Sequence, residues 1–385
     1  MRGFRFKRDA GTTAVTTAAQ CHIIASIIYR ASYAHISSGP AMNTSELLFN
    51  IIYTPGSVAL LSPFVQSLLK WSDCRYQLIA NGCDNNEQRL LRNLANSDSR
   101  LQYLCLSDTK MISHSDALDK LQQDCNDEWF CAMDSDIFAQ GPFLDAVAGA
   151  ADGYNVITSC LPVWTTPGDA TLKRAYKRLQ GLHIRLANGL TVGCTYFVLY
   201  RNADVSRARA LNGVGFERYY WDKIPDRHQQ TIRSLDAEKH DYDTAIVLNM
   251  LIIAGGGKVT YLPLDNLKHL GGLSSISKTT NTQFCRGFID AFSIKWKHTL
   301  LTRPTMWLGD LLYGTRNIVE KLSLREYINL AGRARRRAAS ALYFAAVLKA
   351  LINSDKLPET PHLANTTVEK ELEETAAILH KNYQA

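Results

Sequence analysis

Apolar residues in the first third of this chain fall into short unbroken runs separated by stretches with helical spacing. The run at 47–53 is continuous, as in a strand buried on both faces, and Thr54-Pro55-Gly56 turns it into a predicted helix at 58–71. A second strand at 75–80 stops at Asn81-Gly82, and the spacing then predicts a helix at 87–96, a strand at 101–106 and a helix at 115–124. A strand at 129–134 follows. Such alternation argues for a mainly parallel central sheet with right-handed crossovers, flanked by helices.

The second half is less regular. Strands are predicted at 154–161, 195–200 and 258–262, helices at 170–182 and 244–254, and a polar, aromatic loop region at 213–227. Gly255-Gly256-Gly257 follows a helix and precedes a strand, so it reads as a helix end and not as a phosphate loop. From residue 294 the chain looks helical and basic, with Arg333, Arg335, Arg336 and Arg337 beside an apolar stretch at 341–351, and it ends in a Glu-rich helix at 367–380. A basic helix with an apolar face can lie on an anionic membrane or pack on the sheet domain. The expected organisation is an unstructured extension over 1–45, an α/β domain over 46–290 and a helical basic C-terminal region over 291–385.

Composition adds few constraints. Among the 385 residues, 46% are hydrophobic and 21% charged, enough for a sizeable core. Of the net +7, the five basic residues and one acid of 1–41 supply +4, so the remainder is too mildly basic for a nucleic-acid protein and suits anionic small substrates or a membrane surface. Nine cysteines, none in a C-x-x-C pair, read as free, mostly buried thiols in a reducing compartment, hence a cytoplasmic protein, peripheral to a membrane if the basic helices touch one. In that setting Asn43-Thr44-Ser45 and Asn365-Thr366-Thr367 are chance matches to the N-glycosylation pattern. No apolar run approaches the ~18 residues that span a bilayer. The acid-poor segment 1–41 is read as an unstructured extension ahead of Met42 rather than a leader.

Candidate chemistry sits at the end of the fourth strand. In an extended backbone residues i and i+2 point to the same side, so Asp134 and Asp136 can converge on one hard cation. Asp-x-Asp is expected about once by chance in a chain of this length. Context carries the weight: ligands of open parallel sheets bind beyond the carboxyl ends of the strands, the edge that also holds Thr54, Asn81 and Asp108. A single capping acid would explain one carboxylate but not two on one side.

Four segments in this order resemble the GT-A type of nucleotide-sugar-dependent glycosyltransferase: the opening strand Leu48-Phe49-Asn50-Ile51-Ile52-Tyr53, His114-Ser115-Asp116-Ala117-Leu118, Met133-Asp134-Ser135-Asp136, and the closing stretch from Asp241-Tyr242-Asp243 to His269-Leu270-Gly271-Gly272. The resemblance covers roughly residues 46 to 275. It implies a GT-A-like (Rossmann-like) fold with a helical C-terminal extension, and a UDP- or GDP-sugar donor whose diphosphate is bridged by Mn²⁺ or Mg²⁺ on Asp134 and Asp136, with His269 as a further ligand. It also implies nucleotide or donor contacts from Thr54, Asn81, Asp84 and His114, and a catalytic base at Asp241 or Asp243. Gly271-Gly272 would let backbone approach the diphosphate, while Gly193-Cys194-Thr195 with Trp164, Tyr220 and Trp221 would line the acceptor side. The group's acidic dipeptide is replaced by His240-Asp241, which leaves inverting and retaining chemistry both open. The acceptor, a carbohydrate, lipid-linked or other hydroxyl, is not specified, nor is the oligomeric state. Alternatives of other classes are a nucleotidyltransferase of similar fold, for which Thr54-Pro55-Gly56-Ser57 lacks the expected basic residue, and a catalytically silent binding protein of this fold.

Overall fold

The 47–53 run folds as β1 (Leu48–Tyr53), of which five of six residues are buried. It lies inside the main sheet of this computed structural model, which describes residues 42–166, 178–179, 183–186, 189–238, 241–274, 325–363 and 365–384. Its one polar residue, Asn50, meets the Cys131 carbonyl of the neighbouring strand at 2.8 Å, so burial leaves no bare amide there.

The next three strands are β2 (Arg75–Asn81), β3 (Leu101–Ser107) and β4 (Trp129–Asp134). Then come β5 (Ile137–Ala139), β6 (Val156–Ser159), β7 (Arg178–Leu179), β8 (Ile184–Arg185), β9 (Thr191–Val192) and β10 (Phe197–Arg201). The last four are β11 (Tyr219–Tyr220), β12 (Asp241–Tyr242), β13 (Val259–Tyr261) and β14 (Leu267–His269). The main sheet has seven strands in the order β13-β6-β10-β4-β1-β2-β3. Only β10 runs antiparallel to its neighbours, so the architecture is α/β with a mostly parallel central sheet.

The predicted 58–71 helix is split into a single turn, Val58–Leu61, and α1 (Phe64–Trp71). Pro63 has no backbone N–H to continue the ladder. The helices α2 (Asn85–Ala95) and α3 (His114–Gln123) begin at side-chain caps: Asp84 and Glu87 form a reciprocal capping box, and Ser113 accepts from Asp116 N. Three helices appear that the apolar pattern did not predict, α4 (Leu144–Ala151), α5 (Asn202–Asn212) and α6 (Asp226–Ser234). The last two bury narrow stripes, Asp204, Val205 and Ala208 in α5 and His228 with Ile232 in α6, too thin to stand out among polar neighbours. By contrast α7 (Ile246–Ala254) is apolar all round and buries eight residues, as a helix enclosed by its own domain must. The predicted 170–182 helix lies outside the described residues apart from Arg178–Leu179, which form β7. The 1–41 extension also lies outside them.

The unit holding these elements runs from Met42 to Ala385. Its C-terminal part forms α8 (Arg325–Asn353) and α9 (Thr366–Gln384), with α8 against α9 and the Val58–Leu61 turn. The apolar stretch at 341–351 is core, with Phe344, Val347 and Leu348 buried, and Lys268 of β14 pairs with Glu371 of α9 at 2.7 Å. Arg333 and Arg336 are buried as well, so those two side chains face protein and are not available to an anionic surface. No described helix is long and apolar enough to cross a membrane. The seven described cysteines are free thiols, and the two Asn-x-Thr/Ser asparagines cap a 3-10 turn and α9.

Gly82 ends β2 at φ +74°, and a Cβ there would lie 2.4 Å from the backbone nitrogen of Met111. Neither the left-handed backbone nor the Met111 strand-end loop can yield cheaply, so Gly82→Ala should lower stability by about 1–3 kcal/mol from the backbone alone. A thermal midpoint equal to that of the wild type in scanning calorimetry would contradict this account.

Candidate functional site

Two strand pairings build the site. β4 stops at Asp134, whose level on β1 is Ile52, so Asp134 shares the carboxyl edge of the sheet with Thr54. The chain then turns through Ser135 and Asp136 into β5, which pairs antiparallel with β14 so that Ile137 lies opposite His269. That register is why a histidine far along the chain reaches the two carboxylates.

His269 Nε2 stands 3.2 Å from Asp136 Oδ1 and 3.5 Å from Asp134 Oδ2, and His269 and Asp136 are fully buried. The other ring nitrogen, Nδ1, lies 2.7 Å from the Cys160 carbonyl, which can only accept, so Nδ1 carries the proton and donates. This turns the Nε2 position toward the carboxylates. Asp136 is held in turn: its Oδ2 accepts from Leu273 N at 2.9 Å and its own carbonyl accepts from Leu270 N at 3.0 Å. Yet Asp136 Oδ1 and His269 Nε2 have no hydrogen-bond partner despite their proximity. Two orphaned buried atoms and an Asp134 oxygen therefore converge within 4.8 Å of one another. Two carboxylate oxygens and one imidazole nitrogen, held by partners behind them, fit a Mn²⁺- or Mg²⁺-like cation.

The charges are coupled. Burial pushes the Asp134 carboxyl up to about 7, with the His269 charge opposing and the Asp136 and Asp243 carboxylates adding to the rise. Burial works the same way on Asp136, but the His269 charge, its proximity and the Leu273 N–H outweigh it and hold that carboxyl below the usual range. Burial would lower His269, and Asp136 and Asp134 raise it instead. A proton and a cation are thus alternative occupants of the same small space.

In front of Asp134 opens a cleft of about 290 Å³ lined by Thr54, Asn81, His114, Thr195, Tyr196, Asp243 and their neighbours. Seven of the residues singled out in the sequence, Thr54, Asn81, His114, Asp134, Cys194, Thr195 and Asp243, meet here. Some have prior commitments. Asn81 clamps Ile112, accepting from its N–H at 3.0 Å and donating to its carbonyl at 3.1 Å, so its amide shapes the cleft wall. Thr54 donates its hydroxyl to the Ser274 carbonyl, closing the stretch after β14 over the end of β1. His114 is exposed at the start of α3, with Nε2 3.3 Å from the Thr195 hydroxyl. Asp84 does not line the cleft; its carboxylate is the α2 cap, accepting from Glu87 N at 2.9 Å. Asp243 accepts from Thr244 N at 2.9 Å and stands just before Ala245, which takes a left-handed φ of +66°. Asp241 belongs to β12, opposite Tyr220 and Arg178, and its side chain lies outside the described residues.

The aromatic group does not gather at the cleft. Trp164 is buried and donates Nε1 to the Gly271 carbonyl at 3.2 Å, while Trp221 packs on Tyr242 and Tyr220 is exposed. Gly271 answers to that same tryptophan: its Cβ would fall 2.7 Å from Trp164 Nε1, so close packing accounts for the glycine. Residues that the sequence did not point to include Cys160, whose carbonyl orients His269 from a left-handed φ of +63°, and Tyr196, whose ring centre is 4.7 Å from that of His269. A backbone carbonyl leaves no trace in sequence, whereas Tyr196 was visible as the residue leading into β10.

No family model and no curated protein matches this chain. Among solved structures it is similar to the mannosyltransferase PcManGT from Pyrobaculum calidifontis in complex with GDP-Man and Mn²⁺, at 14% identity over 94% of this chain and 96% of that one, with a TM-score of 0.39. It is also similar to S. aureus TarS 1–349 in complex with UDP-GlcNAc, at 14% identity over 88% and 92% of the two chains and a TM-score of 0.34. A third is the galactosyltransferase LgtC in complex with donor and acceptor sugar analogues, at 13% identity over 56% and 73% and a TM-score of 0.33. Likenesses at these scores carry no argument, and the functional reading rests on the site itself.

Asp136→Ala and His269→Ala should each weaken Mn²⁺ binding at least about tenfold in titration calorimetry; wild-type affinity in both would dissociate the cluster from metal. Asp84→Ala should cost about 1 kcal/mol through the lost cap and leave nucleotide binding unchanged; a loss of nucleotide affinity would restore it to the site. The pH dependence has a definite sign. Asp134 is raised in the folded protein, from 3.8 to about 7, so its contribution to metal-free stability is fully present below 3.8 and is lost as pH rises through about 7. A bound cation replaces the proton, so the rise in thermal midpoint produced by Mn²⁺ should grow between pH 6 and pH 8. A shift that is flat or shrinks over that interval would contradict the assignment.

Proposed function

We propose that this protein is a metal-dependent glycosyltransferase that moves a sugar from a UDP- or GDP-sugar to an acceptor hydroxyl. One observation carries the reading: the unmet ligand atoms of Asp136 and His269 converge with Asp134 at the wall of a cleft on the carboxyl edge of a parallel sheet, with a further carboxylate, Asp243, lining the same cleft.

In this reading Asp134, Asp136 and His269 hold Mn²⁺ or Mg²⁺, which when bound supplies Lewis-acid neutralisation of the donor diphosphate. The chain's own residues do the rest. Asp243 takes the proton of the acceptor hydroxyl as its oxygen forms the new bond to the anomeric carbon, and the bond from that carbon to the diphosphate oxygen breaks with its electron pair left on the oxygen. Thr54 and Asn81 hold the cleft walls, through Ser274 and Ile112, at the width a nucleotide needs. His114 with Thr195 offers a polar pair toward the donor sugar or its phosphates. Asp241 remains a candidate partner in the proton transfer.

Calorimetric titration with UDP and with GDP should give binding to one of them that requires Mn²⁺ and vanishes in Asp134→Ala/Asp136→Ala. Incubation with a panel of nucleotide sugars and Mn²⁺ should release nucleoside diphosphate from one of them, detected by mass. Asp243→Asn should lower turnover by about 10²-fold or more with donor binding intact. The reading fails if neither nucleotide binds in a metal-dependent way, and the base assignment fails if Asp243→Asn is fully active.

A further inference from the structure

The face of α8 that carries Arg333, Arg336 and Arg337 is brought to the site by specific contacts. Arg333 lies 5.2 Å over the Trp164 ring, and Arg336 donates Nε to the Trp164 carbonyl at 3.2 Å. Trp164 donates to the carbonyl of Gly271, two residues beyond His269, and Val163 N bonds the His269 carbonyl at 2.9 Å. The helix is therefore fixed against the very segment that supplies the histidine ligand. Arg337 follows Arg336 and stands one turn beyond Arg333, which puts it on Arg333's side of the helix. Arg337 is half-buried, and its positive charge acts against the burial-driven rise of the Asp134 carboxyl and the Tyr196 phenol at the cleft wall.

The cleft needs such a cation. Among the described residues lining it, the charged side chains are Asp134 and Asp243, and none is Lys or Arg. With Asp136 behind, three carboxylates face a ligand that is itself a polyanion, against the two positive charges of one metal ion. Bond breaking at the diphosphate oxygen adds a further negative charge. An arginine is the side chain whose planar fork matches phosphate oxygens and whose charge does not titrate away.

We propose that α8 flanks the donor cleft, held beside the His269 segment, and that Arg337 is its phosphate contact, donating to the diphosphate of the donor and to the nucleoside diphosphate that leaves. Arg333 and Arg336 act as positioning residues that anchor the helix on Trp164. The inference rests on the glycosyltransfer reading, because that reading supplies the diphosphate.

The test compares wild type, Arg337→Gln, Arg337→Met and Arg337→Lys by titration with UDP and GDP in the presence of Mn²⁺, with Mn²⁺ alone and with the corresponding nucleosides. Removing the charge should weaken the nucleoside diphosphate about tenfold, the size of one charge-assisted contact, while Lys recovers part of it. Binding of Mn²⁺ alone and of the nucleoside should not change, which a merely loosened helix would not guarantee. Met keeps the aliphatic stem, so it reports on charge even if Gln perturbs packing. Wild-type affinity in both Gln and Met variants overturns the role of Arg337 and leaves the metal site standing. Failure of the wild type to bind either nucleotide with Mn²⁺ overturns the glycosyltransfer reading, and this inference with it.

Discussion

The site depends on a single hydrogen bond, from His269 Nδ1 to the carbonyl of Cys160. It decides which nitrogen bears the proton, and so which one faces Asp134 and Asp136. Everything around it keeps that bond in place: the antiparallel register that sets His269 opposite Ile137, the bridge between Pro162 and His269, and the left-handed turn at Cys160 that lifts its carbonyl toward the ring. A left-handed non-glycine residue costs on the order of 1–2 kcal/mol. It persists here because the chain is fixed on both sides of the turn, by β6 in the main sheet before it and by the Pro162 bridge to His269 after it. Buried atoms whose hydrogen-bonding capacity is deliberately left open are rare in a folded protein, and two of them 3.2 Å apart need an explanation that the protein alone does not provide.

The cleft separates shaping from chemistry. Asn81 has its amide turned to Ile112 and Thr54 its hydroxyl to Ser274, so both act on a ligand through the walls they hold. Asp134 and Asp243 are the charged groups left at the surface of the cleft, with His114 and Thr195 between them in polarity. Under the proposed reading the substrate is a polyanion, which these carboxylates on their own would repel, so the arrangement becomes attractive only with a cation at the Asp134, Asp136 and His269 positions.

The first half of the fold was legible because a parallel sheet buries its strands on both faces, and continuous apolar runs such as 47–53 and 129–133 have little else to be. Asp134 and Asp136 could be read for the same reason: the strand ended on them. Other features depended on information that sequence order does not carry. The 58–71 helix broke at Pro63, a local signal outweighed in the reading by the apolar spacing on either side. The helices α5 and α6 were hidden because three buried residues in the first, one of them Asp204, and two in the second give no apolar periodic stripe. Asp84 looked like a ligand contact by position, whereas its spacing to Glu87 was already that of a capping box. The arginines of α8 were read as a surface feature because a basic helix usually is one; that Arg333 and Arg336 turn inward onto Trp164 is a tertiary fact.

Those inward arginines change what the C-terminal helices are for. Two independent ties join them to the segment that carries His269: Arg336 through Trp164 and Gly271, and Glu371 through Lys268, the residue before His269. The Lys268 pair is only partly exposed, so it is screened less than a surface ion pair and holds β14 from the side opposite the cleft. With Val163 bonded to the His269 carbonyl as well, this segment is gripped along its length by elements remote in sequence. β14 has only three residues and one strand neighbour, so these ties are a large part of what fixes His269 in place. The C-terminal helices supply that support, which binds the α/β sheet and its helical extension into one functional unit.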